Sequence, residues 1–167
     1  MNNDVENFER ENVVYINDVL ILKFLKVFSR AEYALKMSNK FCHNYKAEAN
    51  WDLFGNKINN DFLNINDCCL SRAKEYLWNK PPKKQKINNS NLIFSDFVID
   101  SNAKKTQQLL LMVRTVRNNL FHGGKHTLEN AEVNNTERNQ KLIESSIVII
   151  KACMKLNDDV SEYYKGK

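Results

Sequence analysis

The chain has 167 residues, 43% of them apolar and 27% charged, and carries a formal net charge of +5. That length and balance suit one globular domain with a real core, and exclude a disordered or collagen-like chain. Four glycines and two prolines are too few turn residues for a β-sandwich or barrel, so the expected fold is all-α: a single-domain helical bundle of about five helices over residues 1–167.

The positive charge permits an anionic partner, such as nucleic acid or an acidic protein, without requiring one. Asparagine is frequent but scattered, which is compositional bias and not a prion-like tract. The first residues, MNNDVENFER, are polar and acidic, unlike a signal peptide. From about Asn12 to Met37 apolar residues recur at helical spacing (Val13, Ile16, Leu20, Phe24, Val27, Ala31, Leu35), which predicts a long amphipathic spine. Its most apolar run, VVYINDVLILKFLKVF, holds Asp18, Lys23 and Lys26, so it reads as a core helix and not a membrane span.

Asn39 and FCHNYKAEAN suggest a loop or break, in which Cys42 and His43 have a packing or surface role. WDLFGNKINNDFL reads as one short helix with Gly55 inside it. Asn66 or Asp67 offers a cap for CCLSRAKEYLWNK, and Pro81 and Pro82 end that helix because neither can donate a backbone hydrogen bond. Residues 81–101 are the least regular: KKQK is a basic exposed run, and NLIFSDFVID fits a short helix, a strand or a packed loop.

Ser101 or Asn102 then opens a strong helix burying Leu109, Leu110, Met112, Val113, Val116 and Leu120, and Gly123–Gly124 stops it. A polar loop leads to Thr136, with Asn134 and Asn135 nearby as caps, and to a final long helix carrying LIESSIVIIKACMKL. Trp51 and Trp78 read as core or interface anchors. Cys42, Cys68, Cys69 and Cys153 form no C-x-x-C pair, so reduced thiols and a cytoplasmic location are expected. Neither a repeat nor a linker divides the chain.

One stretch stands apart from this helical pattern: VRTVRNNLFHGGKH, residues 113–126. Arg117 and His122 lie five residues apart, about 140° around an ideal helix. They converge only if the helix ends or distorts between them, which the glycines allow. A histidine at a helix C-terminus faces unpaired carbonyls, which favour the imidazolium form. Imidazole beside guanidinium suits acid–base work on a phosphodiester: the histidine moves the proton and the arginine stabilises charge on the phosphoryl oxygens.

Spacing alone is a weak signal, equally met by an arginine paired with a surface carboxylate and a plain helix-end histidine. Arg114, Lys125 and His126 either extend a phosphate-binding surface or are solvated charges. Glu32, in the first helix, either orients Arg117 or Arg30 or forms a surface ion pair. His122 and His126 have the spacing of helical zinc ligands, but two glycines intervene and no third ligand is evident, so no metal and no cofactor are expected.

The motif Arg117-Asn118-Asn119-Leu120-Phe121-His122 resembles the R-x(4–6)-H signature of HEPN domains. FSRAEYALK (28–36), NWDLFG (50–55) and YLWNKPPKKQ (76–85) precede it in an order similar to a bacterial, plasmid-encoded group of HEPN proteins, over about residues 15–156. The resemblance implies an all-α bundle and a homodimer whose two motifs face one cleft. It implies a metal-independent endoribonuclease in which the RNA 2′-hydroxyl attacks the adjacent phosphate, leaving a 2′,3′-cyclic phosphate and a 5′-hydroxyl. Arg117 and His122 would be catalytic, with Asn118 at the polar position that orients them.

Some HEPN families carry a tyrosine two residues after the histidine; this chain has Gly124 there, so that role has no counterpart. The setting implied is toxin–antitoxin or phage defence, with RNA and an antitoxin protein as partners and no membrane. Two other functions stay open: a non-catalytic HEPN protein binding RNA or nucleotides, and an interaction module partnering a nucleotidyltransferase-type antitoxin.

Overall fold

The structure is a computed structural model that describes residues 17–43, 46–121 and 136–166. Within them the chain forms seven helices and two small antiparallel hairpins. The expectation of an all-α bundle is therefore corrected: the protein is mostly helical, and two stretches of chain pair as strands instead of coiling. The expected helical resemblance over 15–156 spans both.

Helix α1 (Asp18–Met37) opens on Asn17, whose side-chain oxygen accepts hydrogen bonds from the Val19 and Leu20 amides at 2.9 and 3.3 Å. Such a cap satisfies donors that no carbonyl of the helix can reach. Phe24, Phe28, Ala31, Ala34 and Leu35 fall on its buried face. The predicted start near Asn12 lies outside the described residues. After Ser38 the chain turns at Asn39, φ 57°, a left-handed conformation that asparagine tolerates better than most residues.

Strands β1 (Cys42–His43) and β2 (Lys46–Ala49) pair next, with a register shift between Cys42 and His43. The Asn50 amide donates to the Phe41 carbonyl at 2.7 Å, closing the hairpin base. The Asn50 side chain caps helix α2 (Trp51–Lys57) through the Leu53 amide. The single helix expected from WDLFGNKINNDFL is in fact two: α2 ends at Ile58, and α3 (Asn59–Asn64) follows at once. The break lets Asn59 turn inward, where its Oδ1 accepts from the Thr106 amide at 3.3 Å.

Asp67 caps α4 (Cys68–Asn79), its Oδ1 accepting from the Leu70 amide at 2.7 Å, and the helix stops just before the two prolines. Residues 81–101, open in the sequence, hold the second hairpin: β3 (Lys84–Asn88) and β4 (Asn91–Ser95), in register from Lys84–Ser95 to Asn88–Asn91. Its two-residue turn has positive φ at both Asn89 and Ser90, 47° and 63°, the geometry that matches strand twist in tight hairpins. KKQK thus belongs largely to a strand.

Helix α5 (Lys105–Phe121) starts a few residues later than Ser101 or Asn102 and runs through the centre, packing on α2, α3, α4 and α6. Gly123 and Gly124 lie outside the described residues. Helix α6 (Thr136–Cys153) packs on α1 and α4. The expected single last helix breaks after Cys153, and Asn157 caps a further helix, α7 (Asp158–Lys165), which lies against α1.

The core is one cluster, in which Phe24, Phe54, Phe62, Leu110, Met112 and Ile149 are fully buried. Each such side chain contributes about 1.5–3 kcal/mol relative to exposure. Gly55 has a specific reason to be glycine: a Cβ there would sit 3.1 Å from both the Gln107 Cα and the Leu110 Cδ1. Its absence lets α2 lie close to α5. Among the described residues, no helix is long and apolar enough to cross a membrane.

Candidate functional site

Helical spacing puts Phe28, Glu32 and Lys36 on one face of α1 and Arg114, Arg117 and Asn118 on one face of α5. These faces meet the first hairpin and the start of α2 around an open cavity of about 410 Å³. All six residues line it, together with His43 from β1, Glu48 from β2 and Trp51 from α2. The size is that of small-ligand sites generally.

Arg117 is half-buried, and its guanidinium carbon stands 5.4 Å from the centre of the Phe28 ring. Phe28 in turn stacks on Trp51, with ring centres 5.3 Å apart at 29°. A cation over an aromatic face is attracted by the ring quadrupole, and the planar guanidinium stacks well there. The aromatic pair thus gives Arg117 a fixed seat at the cavity wall. Its Nη1 donates to the Asn118 Oδ1 at 3.0 Å, so the neighbouring asparagine holds the guanidinium as well.

Arg114, one turn earlier, lies 3.7 Å from the Asp52 carboxylate in a pair open to solvent, a weak tether. Across the cavity, Glu32 forms no ion pair with Arg30 or Arg117 among the described residues. Arg30 belongs elsewhere, to a depression it lines with Lys26 and Tyr164 on the α7 side of α1.

Trp51 is 2% exposed, and its indole Nε1 has no hydrogen-bond partner among the described residues. The cavity holds cations from Lys36, Arg114 and Arg117 against carboxylates from Glu32 and Glu48, a mixed lining whose arginine side suits an anionic group.

Of the residues singled out from sequence, Arg114, Arg117, Asn118 and Glu32 come together at this cavity. His122, Lys125 and His126 lie outside the described residues. Sequence reasoning missed Phe28, Lys36, His43, Glu48 and Trp51. Phe28 and Lys36 were within reach, since each lies one helical turn from Glu32 on the same face. His43 and Glu48 carried no signal, because only the hairpin brings them here. Among the described residues, no group of three or more His, Cys, Asp or Glu side chains is placed to hold a metal ion. No family model, no curated protein and no solved structure matches the chain.

Proposed function

We propose that the protein is a metal-independent endoribonuclease of the HEPN kind, working in the cytoplasm as a homodimer in a toxin–antitoxin or phage-defence setting. The observation that carries this reading is the seating of Arg117. The arginine of the R-N-x-x-x-H motif lies over the Phe28 ring, is held by Asn118, and lines a cavity of ligand size.

In the reaction, the 2′-hydroxyl of the RNA attacks the adjacent phosphorus. The bond from phosphorus to the 5′-oxygen breaks, leaving a 2′,3′-cyclic phosphate and a 5′-hydroxyl. The nucleophile lies within the substrate, so the protein has protons to move and charge to stabilise. Arg117 stabilises the non-bridging oxygens as charge builds on them. His122 takes the 2′-hydroxyl proton. Asn118 positions Arg117, and Arg114, Lys125 and His126 contact neighbouring phosphates.

Two further features fit the setting. Val19 and Leu22 near the start of α1, and Tyr33 and Met37 near its end, are exposed apolar side chains, Val19 75% so, suited to contact with a second copy or an antitoxin protein. The four cysteines are free thiols, as in a reducing compartment.

The test is cleavage of mixed-sequence RNA in EDTA by the wild type, His122→Ala and Arg117→Ala. Each variant is expected to lose about 10²–10⁴-fold in rate while keeping its fold by circular dichroism. Full cleavage by His122→Ala would sink the mechanism. RNA binding without cyclic-phosphate ends from the wild type would favour a non-catalytic HEPN protein. Co-purification of an inactive chain with a nucleotidyltransferase would favour the interaction module.

A further inference from the structure

Arg117 is held by Phe28 and Asn118, and Arg114 lies near the Asp52 carboxylate. Two charged side chains of the same lining are left over. Glu32 and Lys36 are both half-buried on the cavity face of α1. Neither makes an ion pair or a side-chain hydrogen bond among the described residues. Glutamate four residues before lysine is the order in which a helix best pairs its own charges. On α6 the same arrangement closes at 2.6 Å between Glu137 and Lys141. On α1 it stays open, and both groups keep their hydrogen-bonding capacity for whatever enters the cavity.

Their chemistry limits what they can recognise. A carboxylate carries only acceptors and an ammonium only donors. One turn of helix separates the two, about 5–6 Å at Cβ, so an acceptor pair lies beside a donor. Proteins read unstacked RNA bases by hydrogen bonds along the Watson–Crick edge. On that edge guanine shows one acceptor, O6, next to two donors, the N1–H and the N2 amine. The pattern complements Lys36 and Glu32 with three contacts, two of them to one carboxylate. Adenine and cytosine offer one amine there, and uracil one N–H between two carbonyl oxygens, so none of them satisfies both carboxylate oxygens.

The rest of the lining agrees with a nucleotide as occupant. Arg114 and Arg117 on α5 border the same space and suit its phosphate. The volume of about 410 Å³ is in the range of small-ligand sites. Helix-borne groups hold their position better than loop-borne ones, which favours Glu32 over Glu48, exposed on the short strand β2. All these residues belong to one chain, so a homodimer carries the pocket twice.

We infer that Glu32 and Lys36 read a guanine next to the scissile phosphate. Glu32 accepts from the N1–H and the N2 amine, and Lys36 donates to O6. The inference rests on the ribonuclease reading for its choice of an RNA substrate.

The experiment uses the full chain and short oligouridylates carrying a single guanosine, or in its place a single inosine or adenosine. Inosine keeps O6 and the N1–H and lacks the N2 amine. In EDTA the wild type should cut beside the guanosine, and roughly 5–150-fold more slowly beside the inosine. Glu32→Gln exchanges one acceptor oxygen for a donor amide at nearly constant shape. It should cleave the guanosine and inosine strands at similar rates. Lys36→Ala should keep the difference between those two strands and lose preference for guanosine over adenosine. Circular dichroism checks the fold of each variant.

A wild-type ratio of guanosine to inosine cleavage in Glu32→Gln overturns the inference, even if both rates fall together, since Glu32 would then be structural. An unchanged preference for guanosine over adenosine in Lys36→Ala overturns it too. The same strands made with 2′-deoxy sugars have no nucleophile, and fluorescence anisotropy then reads binding alone. A wild type that cleaves no strand, yet binds guanosine over inosine in a way lost in Glu32→Gln, overturns the ribonuclease reading and upholds the base-reading pocket. A wild type that binds the two strands equally, or neither, overturns the inference.

Discussion

The two hairpins serve the fold in opposite ways. The first, β1–β2, is short and irregular, with a shift in register, and it supplies one wall of the cavity. The second, β3–β4, is regular over five pairs, yet it lines no part of that cavity. It displays Ile87, 71% exposed, opposite the half-exposed Leu92. Its link to the site is indirect: the buried Asn119 donates from Nδ2 to the Lys83 carbonyl at 2.7 Å, fastening the base of the hairpin to α5. Lys83 also pairs with Asp96 across that base at 2.6 Å. The irregular hairpin presents side chains to the cavity; the regular one props the helix that carries Arg117.

The largest way to break the first arrangement is at Gly55, because α2 hangs from β2 through the Asn50 cap and brings Trp51 to the wall. Gly55→Val places a branched side chain where even a Cβ meets Gln107 and Leu110 at 3.1 Å. Overpacking of this kind costs about 1–3 kcal/mol, which outweighs the gain of under about 1 kcal/mol from removing a helical glycine. Each kcal/mol corresponds to roughly 2–4 °C in a chain of this size. A thermal melt should therefore drop by several degrees, and RNA affinity should weaken as the wall moves. An unchanged melting temperature would mean that α2 and α5 separate freely.

The adjacent asparagines at the end of α5 test the second arrangement. Asn119→Ala removes the donor to the Lys83 carbonyl and truncates a buried side chain, an expected loss of about 1–2 kcal/mol. Asn118→Ala touches an exposed residue, so stability should stay within about 0.5 kcal/mol, while cleavage falls because Arg117 loses the acceptor at 3.0 Å. Denaturant unfolding and a cleavage assay on the two variants give the contrast directly. Equal stabilities would show that the second hairpin does not prop α5.

These two asparagines also mark what the sequence could and could not reveal. The motif R-N-N was legible, but nothing in it says that Asn118 faces Arg117 while Asn119 faces a hairpin 36 residues away. Local signals served well where the deciding interaction is local. Asp67 as a cap, the prolines after Asn79 and the turn at Asn39 are all read from neighbouring residues. They served poorly where distant contacts decide. The kink at Ile58 is favoured because Asn59 reaches the Thr106 amide, and α7 is a separate helix that packs back on α1.

Of the candidate site, Arg117 and Asn118 were visible through the motif, Arg114 through its place one turn before Arg117, and Glu32 through the stretch FSRAEYALK; the cavity brings the four together. Lys125, His126 and His122 fall outside the described residues. His43 and Glu48 depend on strand pairing, and register is set by partners across the hairpin that a single strand does not disclose.

The smallest expected effect lies at the tip of the regular hairpin. Asn89 and Ser90 both hold positive φ. Asparagine accommodates this by local hydrogen bonding, whereas serine bears a Cβ penalty of about 1–2 kcal/mol in the left-handed region. Ser90→Gly removes that penalty and yields the Asn-Gly pair preferred in such turns, but it also loosens the unfolded chain by about 0.4–1 kcal/mol. The balance is a stabilisation of roughly 0.5 kcal/mol, concentrated in the hairpin, because a two-stranded tip opens locally before the core does. Amide exchange across β3 and β4 should slow while exchange in β1 and β2 stays as it was. If the prop reaches α5, protection of the Asn119 side-chain amide should rise with it; a hairpin stiffened without that response would confine the effect of the prop to its own strands.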